Sequence, residues 1–211
     1  MSLVAISGNA SGTGTLTIAA PNTNSNFTLT LPQATTTLVG TDATQTLTNK
    51  TIQGGAITRG TAVASTSGTS IDFTGLPAWC KKITVMFQGV STNGISNWLF
   101  QLGSGSATTS GYLGTGYRAT NAGSWINIAF TTGFGVPFDT ASAVVHGSIV
   151  FANITGNNWV ANGFLSRSDT TTTGGTGGSI SLAGVLDRVR ITTVNGTDAF
   201  DAGSVNIIYE G

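Results

Sequence analysis

Apolar and polar residues alternate with a period of two through much of the chain, the signature of strands with one face in a core. In "KKITVMFQGV" (Lys81 to Val90), Ile83, Val85 and Phe87 share one face, and Thr84, Met86 and Gln88 share the other. In "SWINIAFTTG" (Ser124 to Gly133), Ile126, Ile128 and Phe130 take the inner face, so Trp125 points outward. In "DRVRITTV" (Asp187 to Val194), Val189 and Ile191 face in while Arg188 and Arg190 face out. Similar runs occur at "SIDFTG", "SNWLFQLG", "AVVHGSIVFANI", "NNWVANGFLS", "GSISLAG" and "SVNIIYEG", separated by Gly, Asn, Thr and Ser. About nine strands spread over roughly 150 residues predict a β-sandwich of jelly-roll type. "TTTTGGTGG" (Thr170 to Gly178) and "SGYLGTGYRAT" (Ser110 to Thr120) read as surface loops by composition.

Residues 1–58 differ from 59–211. "GTLTIAAP", "NFTLTLP" and "TTTLVG" are short alternating strands, each closed by Pro or Gly. Their apolar set (Leu16, Ile18, Phe27, Leu29, Leu31, Leu38) is too small to offset the ordering entropy of nearly sixty residues in one chain. The expectation is an extended N-terminal segment ordered by intertwining with its own copies, which would also consume its exposed strand edges. The polar stretch "TDATQTLTNKTI" (Thr41 to Ile52) would join it to the sandwich.

Composition agrees. Charged residues are 8% of the 211-residue chain, apolar residues 39%, glycines number 30 and Glu210 is the sole glutamate. Helix-favouring residues are therefore scarce, and the chain reads as all-β. Eight basic and eight acidic residues cancel, so no basic footprint for nucleic acid is expected. No apolar run reaches the roughly 18 residues of a membrane span, and Met1–Ile6 lacks the pattern of a signal peptide. The single cysteine, Cys80, excludes an intrachain disulfide and fits assembly in a reducing cytoplasm. The five Asn-x-Ser/Thr sequons, at Asn9, Asn26, Asn49, Asn153 and Asn195, are what an Asn- and Thr-rich chain contains by chance.

"LPQATTTLVGTDATQTLTNKTI" resembles a segment of tailed-bacteriophage tail fibres and related virion appendages, found just ahead of the distal domain. "FTGLPAWCKKITVMFQGVS", "GNNWVANG" and "LDRVRITTVNGTDAFDAGSVNIIYE" extend the likeness over most of the chain. The resemblance implies a homotrimer assembled in the host cytoplasm and located on the virion. Residues 1–58 would attach to other tail or baseplate proteins, and 59–211 would form the distal domain. A short tail fibre or tail-tip protein binding a host surface glycan is the first expectation. A head fibre, decoration or baseplate protein without a receptor role is the alternative, and a small glycan-degrading enzyme is the third.

Catalytic chemistry has thin support. His146 is the only histidine and could pair with Cys80 or a serine, but it lies within a strand pattern where packing explains it. Asp198 and Asp201 in "NGTDAFDAG" could form a carboxylate pair, but Asp, Gly and Asn are also turn formers. One His and one Cys cannot build a metal cluster. We therefore expect no catalytic residues, no metal and no cofactor. Sugar binding fits better, because aromatic faces stack on sugar C–H surfaces while polar neighbours fix orientation. Tyr112, Tyr117, Arg118 and the outward Trp125 are the candidate ligand-binding residues, with a contact between protomers as the competing role for Trp125. For Arg188 and Arg190, salt links or a solvated face are expected, and for Trp98 and Trp159 a place in the core.

Overall fold

A computed structural model describes residues 57–211, together with residues 11–13, 23, 24 and 26. The chain divides into two units, and all fourteen strands among the described residues lie in the second, Lys50–Gly211. The strands expected within 1–56, the polar connector and the intertwining of copies lie outside the described residues. The first strand, β1 (Ile57–Arg59), pairs with the last, β14 (Phe200–Glu210), with Ile57 opposite Glu210. The sheet thus reaches two residues across the expected 58/59 boundary.

The described residues are all-β, in two antiparallel sheets. The larger has the order β1, β14, β4 (Lys82–Thr92), β10 (Val145–Thr155), β11 (Asn158–Arg167), β12 (Thr172–Ser181), β7 (Leu113–Thr120) and β8 (Trp125–Phe130). A short β2 (Val63–Ala64) also pairs with β14. The smaller sheet runs β3 (Ile71–Thr74), β13 (Arg188–Thr193), β5 (Trp98–Ser104) and β6 (Ser106–Ala107), with β9 (Phe134–Val136) also on β5.

The core is built where the alternation placed it. Ile83, Val85 and Phe87 of β4 and Val189 and Ile191 of β13 are buried, as are Trp98 and Trp159. Aromatic contacts join the sheets: Phe87 meets Phe100 at a centroid distance of 5.6 Å, and Phe134 meets Phe151 at 5.8 Å. Outside the core, Arg190 pairs with Asp72 and Arg188 with Asp187, the expected salt links.

Two segments expected to be loops are strands. Gly114–Thr120 belongs to β7, and the glycine run Gly174–Gly178 belongs to β12, inside the larger sheet. Glycine is a poor strand former in isolation, but here it permits close approach. A Cβ on Gly174 would sit 2.6 Å from Tyr117 O and 2.9 Å from side-chain atoms of both Phe138 and Val136. On Gly178 it would meet Leu113 O at 2.4 Å. Composition registered the missing side chains but not the neighbours that fill their space.

Candidate functional site

Strand alternation sorts the candidate residues before any contact is considered. Tyr117 pairs with Asn127 of β8 on one side and with Gly175 of β12 on the other. Gly175 in turn pairs with Phe164 of β11. Tyr117, Asn127 and Phe164 therefore stand on the outer face of the larger sheet, along with Trp125.

There the Tyr117 and Trp125 rings stack, with centroids 5.8 Å apart and planes 25° apart. Trp125 keeps 66% of its surface exposed and Phe164 keeps 54%, far from what a core aromatic would show. Between them the Tyr117 ring covers the buried Gly175, and Gly177 alone lies open. A Cβ on Gly175 would meet Tyr117 Cε1 at 2.7 Å, so the tyrosine ring lies over that glycine. Covering a strand glycine with a cross-strand aromatic supplies packing that the glycine lacks. Gly177 is exposed, and a Cβ there would have only Ala161 O, at 3.8 Å, for company. Asn162, opposite Gly177, and Asn127, opposite Tyr117, bring amide groups to the same strip. The result is an aromatic platform beside one open glycine, Gly177, with neutral polar groups at its margins.

Tyr112 does not belong to this site. It is 1% exposed, its ring meets Phe134 edge-on at 5.0 Å, and its hydroxyl accepts from Leu102 N at 2.8 Å and donates to Leu102 O at 3.2 Å. Burial pushes its phenol up to about 12, against the smaller opposing effect of the Leu102 backbone bond. Gly111, at φ 81°, turns the chain inward just before it. The apolar tyrosine body is held by the core and its polar tip by the backbone, so no surface is left for a ligand.

Arg118 is parted from Tyr117 by the same alternation and lies on the inner side of the sheet. Its guanidinium pairs with Asp139, and its Nε is buried without a partner. Burial, and secondarily the nearby Arg167, push it below its usual range. Of the four expected ligand residues the fold thus brings together Tyr117 and Trp125, and it separates Tyr112 and Arg118 from them. Phe164 was missed because "NGFLS" presents two adjacent apolar residues, and only the register shows that Leu165 goes in and Phe164 out.

The groups with catalytic potential are engaged elsewhere. His146 Nδ1 accepts from Gly89 N at 3.2 Å, so in the neutral tautomer the ring proton sits on Nε2. That nitrogen lies 3.1 Å from Ser168 Oγ and is a donor there, the reverse of what a base activating a serine requires. Buried Cys80 precedes Lys82 at the far end of β4 from Gly89, roughly 23 Å away along the strand at about 3.3 Å per residue. Burial raises its thiol above the usual range, away from the reactive thiolate. Asp198 accepts from Ser96 N at 2.8 Å and Asn195 Nδ2 at 2.6 Å, and Asp201 accepts from Ser91 Oγ. Both carboxylates thereby tie down the β13–β14 connection and the start of β14.

Comparison with protein-family models, curated protein sequences and solved structures gives no match.

Proposed function

We propose that this chain is a virion appendage protein of a tailed bacteriophage, a short tail fibre or tail-tip subunit that binds a host surface glycan without chemical turnover. The carrying observation is the outward Tyr117–Trp125 stack, with Trp125 exposed, beside the open backbone at Gly177. A solvent-facing aromatic pair offers a flat apolar surface to the C–H face of a sugar ring, and the open backbone at Gly177 leaves room beside it. The occupied geometry of His146, Cys80, Asp198 and Asp201 supports the non-catalytic side of the reading. The "TQTLTNKTI" likeness supports the virion side. In this reading the sandwich is of jelly-roll type, three copies assemble through residues 1–58, and weak sites gain strength through avidity.

The test is saturable binding of the full-length protein to envelope glycan purified from the host, alongside competition with phage adsorption. Trp125→Ala should abolish both while leaving the melting temperature unchanged. Absence of saturable binding, or full binding by the variant, would remove the receptor role.

A further inference from the structure

A second concavity lies on the same outer face, at the opposite edge of the larger sheet. It measures about 420 Å³ and is lined by Arg59 of β1, Met86 and Gln88 of β4, and Ser204, Asn206 and Ile208 of β14. The registers place all six on one face: Arg59 opposite Ile208, Met86 opposite Asn206, and Gln88 opposite Ser204. Met86 and Ile208 provide an apolar floor, and the other four carry hydrogen-bonding groups.

Arg59 is singular among the five arginines. Arg118, Arg167, Arg188 and Arg190 each form an ion pair with an aspartate, whereas Arg59 has none among the described residues. Asn206 is 9% exposed and its Oδ1 accepts from Ile207 N at 2.8 Å, which fixes the orientation of its amide. Its Nδ2 has no acceptor among the described residues. The chain crossing at Gly60 bonds Ile207 O at 2.8 Å and holds β1 against this side of β14. Among the described residues, an unpaired guanidinium, an oriented amide donor, a second amide and a hydroxyl therefore converge on one hollow lined by no carboxylate. Glu210, on the same face of β14, is held by Lys82 at 2.5 Å.

We propose that this hollow is a subsite for a carboxylate-bearing sugar unit. The planar guanidinium fork matches the two oxygens of a carboxylate. The Asn206 amide and Ser204 hydroxyl meet ring oxygens, and Met86 and Ile208 carry the C–H face. This inference extends the glycan reading but does not depend on the aromatic platform. The hollow ends at β4 and the platform begins at β12, three strand steps or roughly 14 Å apart at about 4.8 Å each, so one sugar unit cannot touch both.

The test titrates the isotope-labelled full-length protein with sodium D-glucuronate, D-glucose and inorganic phosphate, following backbone amide resonances of β1, β14 and β4. Glucuronate should produce saturable shifts at Arg59, Asn206 and Ile208, and glucose should not. Arg59→Gln should weaken the response about tenfold or more, as expected for loss of a charge-assisted bond. Asn206→Asp, which keeps the acceptor toward Ile207 N but places a carboxylate beside Arg59, should abolish it. Trp125→Ala should leave it intact even if it abolishes binding at the platform, so the two readings fail separately. Equal shifts with glucose or with phosphate, no saturable shift at all, or an unchanged response in both hollow variants would overturn the assignment.

Discussion

Tyr117 and Gly175 face each other across the β7–β12 pair, and the tyrosine ring occupies the space that any side chain at Gly175 would need. The candidate platform therefore depends on a residue that contributes no side chain to it. Gly163 O, 2.5 Å from the same hypothetical Cβ, closes the position from the β11 side.

Gly175→Ala should destabilise the sandwich by about 1–3 kcal/mol, the usual cost of forcing atoms into a filled space, and should displace the Tyr117 ring. Gly177→Ala, two residues along on the same face, should stay within about 0.5 kcal/mol of the parent because its Cβ meets only Ala161 O, at an ordinary 3.8 Å. Chemical denaturation of the two variants side by side checks the contrast. Equal costs would mean that the ring does not rest on Gly175.

Tyr112→Phe should cost about 1–3 kcal/mol, because it strands the buried Leu102 N–H that the phenol oxygen now accepts from. Tyr117→Phe, on the open face, should cost less than about 0.5 kcal/mol. The same pair separates core from site: glycan binding should survive the Tyr112 change. Loss of binding with unchanged stability in Tyr112→Phe would contradict the buried placement.

Part of the acid sensitivity should trace to Asp169, alongside Asp187, which the hydrogen bond from Arg188 holds down in the same way. The Asp169 carboxyl is held below the ordinary range chiefly by the hydrogen bond from Arg167, with burial opposing and the Val144 N–H assisting. A carboxylate depressed in the folded state contributes stability that is fully present above its unfolded value of about 4 and is lost as pH falls through the folded value. Thermal unfolding temperatures should therefore drop below about pH 4, and Asp169→Asn should flatten that part of the curve while lowering the neutral plateau. A curve for the variant parallel to the parent below pH 4 would place the acid response elsewhere.

Gly203→Ala should be among the more damaging single-methyl additions. Gly203 and Gly89 both hold positive φ, 91° and 64°, where β14 and β4 shift register. A Cβ on Gly203 would lie 2.3 Å from Gly89 O, so backbone strain and steric overlap add. A loss above about 2 kcal/mol in a denaturant melt is expected; a neutral result would show that the register shift relaxes freely.

Local alternation was enough for the all-β class, the inward faces of β4, β8 and β13, the core places of Trp98 and Trp159 and the outward aim of Trp125. Each is a local consequence of period-two alternation, which needs no knowledge of which strands become neighbours. Cross-strand packing makes the glycine-rich segments 113–120 and 172–181 central strands, because their stability comes from neighbours filling the space of absent side chains. The tertiary fold also divides Tyr112 and Tyr117, five residues apart in one Gly-rich stretch, between core and surface. Phe164 joining Tyr117 across Gly175, and Arg59 meeting Asn206 in one hollow, depend on register between strands far apart in sequence. Register is fixed by the whole set of pairings and bulges, and no single stretch of sequence carries that information.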